Sequence, residues 1–231
     1  MHGNIYNIIV AAGSGSRFGA DLPKQYCQFC GRPLLMTTIE RFQKALPGSH
    51  IILVISPSHK DLWEELCRKH NFESPKTVFG GDSRWESVKN AIDTTPSPLP
   101  SNAIITVHDG ARPLVSTQLI ERVIAPVAAG KAGAIPTTPV NESLRVITDD
   151  NAGSAPVDRS RYRSVQTPQA FNGELLKQAY RLPYQPDFTD DASVMAAAGH
   201  TRMELVDGDA INIKVTLPAD IKIAELLNDG Q

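Results

Sequence analysis

The residues best suited to chemistry lie near the start of the chain. An apolar run, Ile5 to Val10, leads into Ala11-Ala12-Gly13-Ser14-Gly15-Ser16-Arg17-Phe18-Gly19 and on to Lys24. Glycines directly after a strand let the backbone approach phosphates and donate its N–H groups to their oxygens. Two familiar phosphate loops fail on spacing. A dinucleotide fingerprint needs a glycine where Phe18 stands and an acidic residue about 20 residues onward, at the end of a second strand. The next apolar strand run begins near Ile51. A Walker loop needs Gly-Lys followed by Ser or Thr, and the sequence has no such triplet. What remains is a loop carrying two cations, Arg17 and Lys24, which suits a triphosphate whose β and γ groups leave as pyrophosphate.

Such a loop needs a rigid frame. With 231 residues, 41% of them hydrophobic, the chain can bury one substantial core, so residues 1–231 are expected to form a single domain. Strand-like runs are Ile5 to Val10, Ile51 to Ile55, Thr77 to Phe79, Ala103 to Val107, Ala132 to Pro136 and Met203 to Val206. Helical patterns cover Leu34 to Ala45, Asp61 to Lys69, Arg84 to Asp93, Thr117 to Ala128, Gly173 to Arg181, Asp190 to Ala197 and Ala219 to Asn228. Ser116 is placed to cap one helix, and Thr189 precedes another with Asp190 and Asp191 in its first turn. The alternation predicts an α/β fold with a doubly wound, mainly parallel sheet covered on both faces. Ligands gather at the carboxyl ends of such strands, which points to the loops after Val10, Phe79 and Val107. Between Val140 and Val165 the alternation breaks. Ser143 to Thr148 and Arg161 to Val165 flank a polar stretch and read as a projecting hairpin, either solvated or paired with a second subunit.

Composition excludes other classes. The formal net charge is -2 and no dense Lys/Arg block occurs, so a nucleic-acid partner is not expected. No stretch approaches the roughly 18 to 20 apolar residues of a membrane span. Met1 to Val10 lacks the features of a signal peptide, and a cytoplasmic location is expected. Cys27 and Cys30 have C-x2-C spacing, but no second close pair completes a zinc site, so with Cys67 they read as reduced thiols.

The run AAGSGSRFGADLPKQY, Ala11 to Tyr26, resembles the signature of the 2-C-methyl-D-erythritol 4-phosphate cytidylyltransferases. The resemblance continues in order through Gly80-Gly81-Asp82 with Ser87, Val107-His108-Asp109-Gly110-Ala111-Arg112-Pro113 and Val157-Asp158-Arg159. It extends to Thr167-Pro168-Gln169, Thr189-Asp190-Asp191-Ala192-Ser193 and Asn212-Ile213-Lys214-Val215-Thr216. It implies a Rossmann-like nucleotidyltransferase fold with a projecting β-arm, here residues 140–165, and a homodimer formed through that arm. The implied reaction joins CTP to a polyol phosphate, methylerythritol phosphate, with Mg2+ or another divalent cation.

The same resemblance implies roles for residues. Ala11, Ala12, Gly13 and Gly15 would hold CTP through the backbone, and Gly81, Asp82 and Ser87 would line its cytosine and ribose pocket. Arg17, Lys24 and Lys214 would act on the phosphates as catalytic residues, with Arg159 reaching the acceptor phosphate in the partner subunit. Asp109, Gly110, Arg112, Ser143, Thr167 and Thr189 would form the acceptor side, Asp109 also being the candidate metal ligand. His108 reads as a neutral histidine packed beneath the site, and Asp190 and Asp191 as charges at a helix start. Gly110, Phe18 and Ser143 stand where the family often has alanine, methionine and threonine. The first two are packing-scale changes, while Ser143 keeps a hydroxyl but loses a methyl and so bears on acceptor fit. Ribitol 5-phosphate as the acceptor, a sugar 1-phosphate with UTP, and a non-catalytic nucleotide-binding subunit are the competing readings.

Overall fold

The sequence folds around a strand that is apolar on both faces. In the computed structural model, which describes residues 2–13, 22–149 and 152–229, β1 (Ile5–Ala11) turns Ile5, Ile9 and Ala11 to one side and Tyr6 and Ile8 to the other. The remaining strands are β2 (Gln28–Phe29), β3 (Arg32–Pro33), β4 (His50–Ile55), β5 (Lys76–Phe79), β6 (Ile104–Asp109), β7 (Gly133–Pro139), β8 (Arg145–Ile147), β9 (Ser154–Pro156), β10 (Arg163–Val165), β11 (Gln169–Asn172) and β12 (Glu204–Asp207). The helices are α1 (Leu34–Ala45), α2 (Lys60–Lys69), α3 (Arg84–Asp93), α4 (Thr117–Ala128), α5 (Gly173–Ala179), α6 (Asp191–Ala197) and α7 (Pro218–Asp229). Among the described residues, no helix is long and apolar enough to cross a membrane.

β1 pairs in parallel with both β4 and β6, and β4 pairs in parallel with β5. The chain therefore winds outward from β1 to β5, then returns to the opposite side of β1 as β6. That reversal makes the crevice at the carboxyl ends of β1 and β6 the topological switch point. Helices cover both faces. α1, α2 and α4 pack with Ile9, Leu53 and Ile104, whereas α3, α5 and α6 pack with Ile8, Val54 and Ile105. A smaller cluster of Phe29, Leu34, Leu114, Val215 and Ala224 fastens α7 beside the β2–β3 hairpin.

Periodicity predicted α1, α3 and α4 to the residue. Side-chain caps define several starts: Ser83 and Glu86 form a capping box on α3, and the Leu119 N–H donates to Ser116 on α4. α6 starts one residue later than the sequence suggests, because Asp190, not Thr189, is its cap.

Two departures concern the second half of the sheet. β11, not anticipated from the sequence, lies antiparallel between β6 and β7. The segment 140–165 also does not fold as one hairpin. Ser143 to Thr148 contributes β8, which pairs with β9, while β10 leaves the arm and joins the main sheet antiparallel to β7. The reason is continuity. Gln166 N–H donates to Pro136 O at 2.8 Å and Asn172 N–H to Ala132 O at 3.0 Å, so β10 and β11 run along a single edge of β7. β12 occupies the other edge, where Gly208 N–H donates to Thr137 O at 2.8 Å.

The loops after β1 and β5 approach each other too closely for a side chain. A Cβ on Gly80 would lie 2.4 Å from Ala12 Cβ and 2.7 Å from Ser87 Oγ. Gly80→Ala is therefore expected to lower unfolding stability by about 1–3 kcal/mol, the usual cost of overpacking. A urea midpoint equal to that of the unsubstituted protein would show that these loops sit farther apart.

Candidate active site

A cavity of about 540 Å3 opens at the switch point. The end of β1 supplies Val10, Ala11, Ala12 and Gly13, and the segment after β5 supplies Gly81, Asp82, Ser83, Arg84 and Ser87. Asp109 and Ala111 come from the end of β6, and Lys24, Gln25 and Lys214 complete the lining. Nine of the residues singled out in the sequence meet here: Ala11, Ala12, Gly13, Lys24, Gly81, Asp82, Ser87, Asp109 and Lys214. Gly15 and Arg17 lie outside the described residues. Gly110, Arg112 and Thr167 stand around Asp109 without lining the cavity, and Ser143, Arg159 and Thr189 are exposed and do not line it either. Arg159 donates to Asn141 O within the arm.

Each wall has a local cause. Gln25 is buried and its amide donates to Ala11 O at 2.9 Å and Gly13 O at 3.2 Å, so the two limbs of the glycine loop are tied by one side chain. On the opposite wall the Gly81 N–H donates to Ser87 Oγ at 3.2 Å, which fixes the turn onto α3. Lys214 is positioned from three directions. Val215 N–H donates to Ala111 O at 2.8 Å, Asn212 Nδ2 to Thr167 O at 2.8 Å, and Arg112 Nη1 to Asn212 O at 2.8 Å.

Strand alternation then sorts His108 and Asp109 to opposite faces. His108 points toward α1, packing on Phe42 at 5.0 Å between ring centroids, with Nδ1 beside the Thr167 hydroxyl. Asp109 points into the cavity and toward α3. Its carboxylate meets three cations: Lys214 Nζ at 3.0 Å, Arg112 Nε at 3.4 Å and Arg84 Nε at 3.8 Å. Burial alone would favour its neutral form, but Lys214, Arg84 and Arg112 together hold it ionised, well below the usual carboxylate range. The arrangement can bind a polyanion: cations at the floor, backbone and hydroxyl groups on the walls, and one fixed carboxylate able to face a hard cation or a hydroxyl.

Arg84 and Gln25 belong to this site, and Asp191 supports it, although sequence reasoning gave none of them that part. Arg84 resembles any solvated residue of a first helical turn. Gln25 sits inside the signature run, and its burial was the missing signal. Asp191 is completely buried and pairs with Arg84 at 2.7 Å, so it is more than a helix-start charge.

Burial pushes the His108 imidazole down to about 4, against opposition from Asp109. A histidine whose folded value lies below its unfolded one leaves the unfolded chain with more bound protons between the two. Stability is thus complete above about pH 6.5 and declines toward about pH 4. The expected loss across that window is at most roughly 3 kcal/mol. Chemical denaturation across it should show a shallower decline for His108→Gln, and an unchanged slope would assign the effect to other groups.

Comparison with known proteins agrees over nearly the whole chain. The family model described as IspD, 2-C-methyl-D-erythritol 4-phosphate cytidylyltransferase, matches residues 5–229. The enzyme of that name from Bacteroides thetaiotaomicron is 45% identical over 221 residues, covering 95% of this chain and 97% of its own. The one from Porphyromonas gingivalis is 43% identical over 223 residues, covering 96% of each chain. The solved structure of 4-diphosphocytidyl-2C-methyl-D-erythritol synthase from Anaerococcus prevotii superposes with a TM-score of 0.80 at 26% identity, over 97% of this chain and 98% of that one. The chain belongs to the 2-C-methyl-D-erythritol 4-phosphate cytidylyltransferase family.

Proposed function

We propose that this chain transfers the cytidylyl group of CTP to 2-C-methyl-D-erythritol 4-phosphate, giving the diphosphocytidyl alcohol and pyrophosphate, and that the cavity at the ends of β1 and β6 is where this happens. The observation that carries the assignment is the meeting of Ala11, Ala12 and Gly13, the Gly81–Asp82–Ser87 wall and the Lys24, Asp109 and Lys214 side chains in one cavity. An oxygen of the acceptor phosphate attacks the α-phosphorus of CTP, and the bond from that phosphorus to the oxygen bridging the β-phosphate breaks. The nucleophile needs no general base, since a phosphate monoester with a second pKa near about 6 is already mostly dianionic at neutral pH. The obstacle is repulsion between two anions. Lys24 and Lys214 offset it from the protein side and hold the reactants in line.

Ala11, Ala12 and Gly13 bind the nucleotide through the backbone in this reading, and Gly81, Asp82 and Ser87 flank its base and ribose. Gly15 and Arg17 are assigned by the signature alone. Asp109, Gly110, Arg112 and Thr167 form the acceptor side.

A divalent cation, Mg2+ by preference, fits the donor set. Among the described residues no group of three His, Cys, Asp or Glu side chains converges. A small hard cation that keeps its waters and takes phosphate oxygens needs only one or two carboxylates, and Asp109 is the carboxylate at the floor. When bound, the ion would screen the charge of the triphosphate.

We also assign the arm to a homodimer. β8 and β9 are exposed along their whole length, Val146 and Ile147 among them. Arg159 and Ser143, both in the arm, do not line the cavity of their own chain, which suits completion of the acceptor site by a second subunit. Thr189, beside the Asp190 cap of α6, is assigned to the acceptor side of its own chain. A monomer by light scattering at assay concentration would overturn the shared site.

Pyrophosphate release from CTP and Mg2+ is expected with methylerythritol phosphate and not with ribitol 5-phosphate; the reverse pattern would reassign the acceptor. Lys24→Ala and Lys214→Ala should each lower kcat by about 100-fold or more while the protein stays folded, in the range seen when a group stabilising transition-state charge is removed. Full turnover in either variant would remove that residue from the mechanism.

A further inference from the structure

Arg84, the first residue of α3, bridges two carboxylates. Its Nη2 lies 2.7 Å from Asp191 Oδ2 and its Nε 3.8 Å from Asp109 Oδ1. Asp191 has no exposed surface, and its other oxygen accepts the Tyr180 hydroxyl at 2.6 Å. Tyr180 is buried as well, its ring stacked on Trp85 at 5.7 Å. A continuous chain of polar contacts thus runs from α5–α6 through α3 to the end of β6: Tyr180, Asp191, Arg84, Asp109.

A buried charge is costly, and replacing a buried ion pair by apolar residues is often neutral for stability. The Asp191 carboxylate, at the positive end of α6 and bonded on both oxygens, is therefore well placed for orientation of its partner rather than for stability alone. Arg84 is that partner. Its side chain retains 30% exposure and lines the cavity. A planar guanidinium can face two carboxylates with different nitrogens at once, which a lysine ammonium cannot do in the same fixed geometry.

We propose that Tyr180 and Asp191 are positioning residues for the transfer reaction, locking the Arg84 guanidinium so that it braces the Asp109 carboxylate from the α3 side. The inference rests on the cytidylyl-transfer reading given above. Neither Tyr180 nor Asp191 lines the cavity, so their loss should misalign the reacting groups without weakening the grip on CTP.

The test is steady-state kinetics on the full chain with CTP, Mg2+ and methylerythritol phosphate, together with CTP affinity by calorimetry and melting temperature. Tyr180→Phe keeps the ring and its stack on Trp85 while removing one hydroxyl, and should lower kcat about 3-fold or more. Asp191→Asn and Arg84→Lys should each lower it about 10-fold or more, small misplacements being costly in such sites. CTP affinity should stay within about twofold for Tyr180→Phe and Asp191→Asn, neither of which lines the cavity. The Asp191→Asn/Arg84→Lys double variant should be little worse than the poorer of its two single variants, because both changes disable the same brace.

An active unsubstituted protein whose variants keep kcat, or whose losses fall entirely on CTP affinity, or whose two losses multiply, would overturn the brace alone. If Asp191→Asn does not fold, Tyr180→Phe decides by itself. An unsubstituted protein that releases no pyrophosphate would overturn the functional reading and this inference with it.

Discussion

Burying the carboxylate of Asp109 at the end of a central strand carries a desolvation cost that three cations must offset, and the supports of those cations account for much of the surrounding structure. Lys214 reaches Asp109 only because residues 212–216 are pinned by Val215 to Ala111 and by Asn212 to Thr167. Arg112 turns back on the carboxylate while also holding Asn212 O. Arg84 comes from the opposite layer and is itself held by a second buried carboxylate, Asp191. One charge thus gathers segments that are far apart in the chain. Asp220 extends the arrangement, accepting from Thr216 and Leu217 N–H groups so that α7 begins just beyond Lys214.

The cavity has two chemically different regions. The walls that would meet a base and a ribose carry backbone groups, the Asp82 carboxylate and the Ser87 hydroxyl, which would discriminate by shape and hydrogen-bond pattern. The floor is ionic, and its geometry is held by contacts within the protein, Lys214, Arg112 and Arg84 all meeting Asp109. Pre-set charge is the effective form of electrostatic assistance, since no reorganisation is then needed at the moment of reaction.

Much of this was legible in the sequence where a local signal coincides with the final structure. α1, α3 and α4 carry amphipathic periodicity, two of them with a serine at the start, and local preference and tertiary packing agree there. β1, β4 and β6 are buried on both faces and read as continuous apolar runs. The failures have a common cause. β11 has four residues, with Gln169 and Asn172 at its ends, so nothing local marks it as a strand; its place between β6 and β7 is decided by long-range pairing. The partner of Ser143 to Thr148 was misread for the same reason, since Arg161 to Val165 looks like a plausible mate until β7 is seen to claim it. Arg84, Asp191 and Gln25 were passed over because charged and amide residues are ordinarily solvated. Only burial, which one sequence does not display, separates them from the rest of the surface.

The position of β10 has a consequence for how this architecture can change. β7 enters the arm at Pro139, and the chain re-enters the sheet at Arg163, directly opposite Pro139 in the ladder. The excursion therefore begins and ends at one fixed point, like a loop of thread drawn from a closed seam. The segment between β8 and β9 can be lengthened or shortened while the seam and the cavity beyond it stay in place. Only the segment between β8 and β9 is thus free to diverge at its own pace, since Ser143 and Arg159 flank that pair and carry the proposed acceptor contacts.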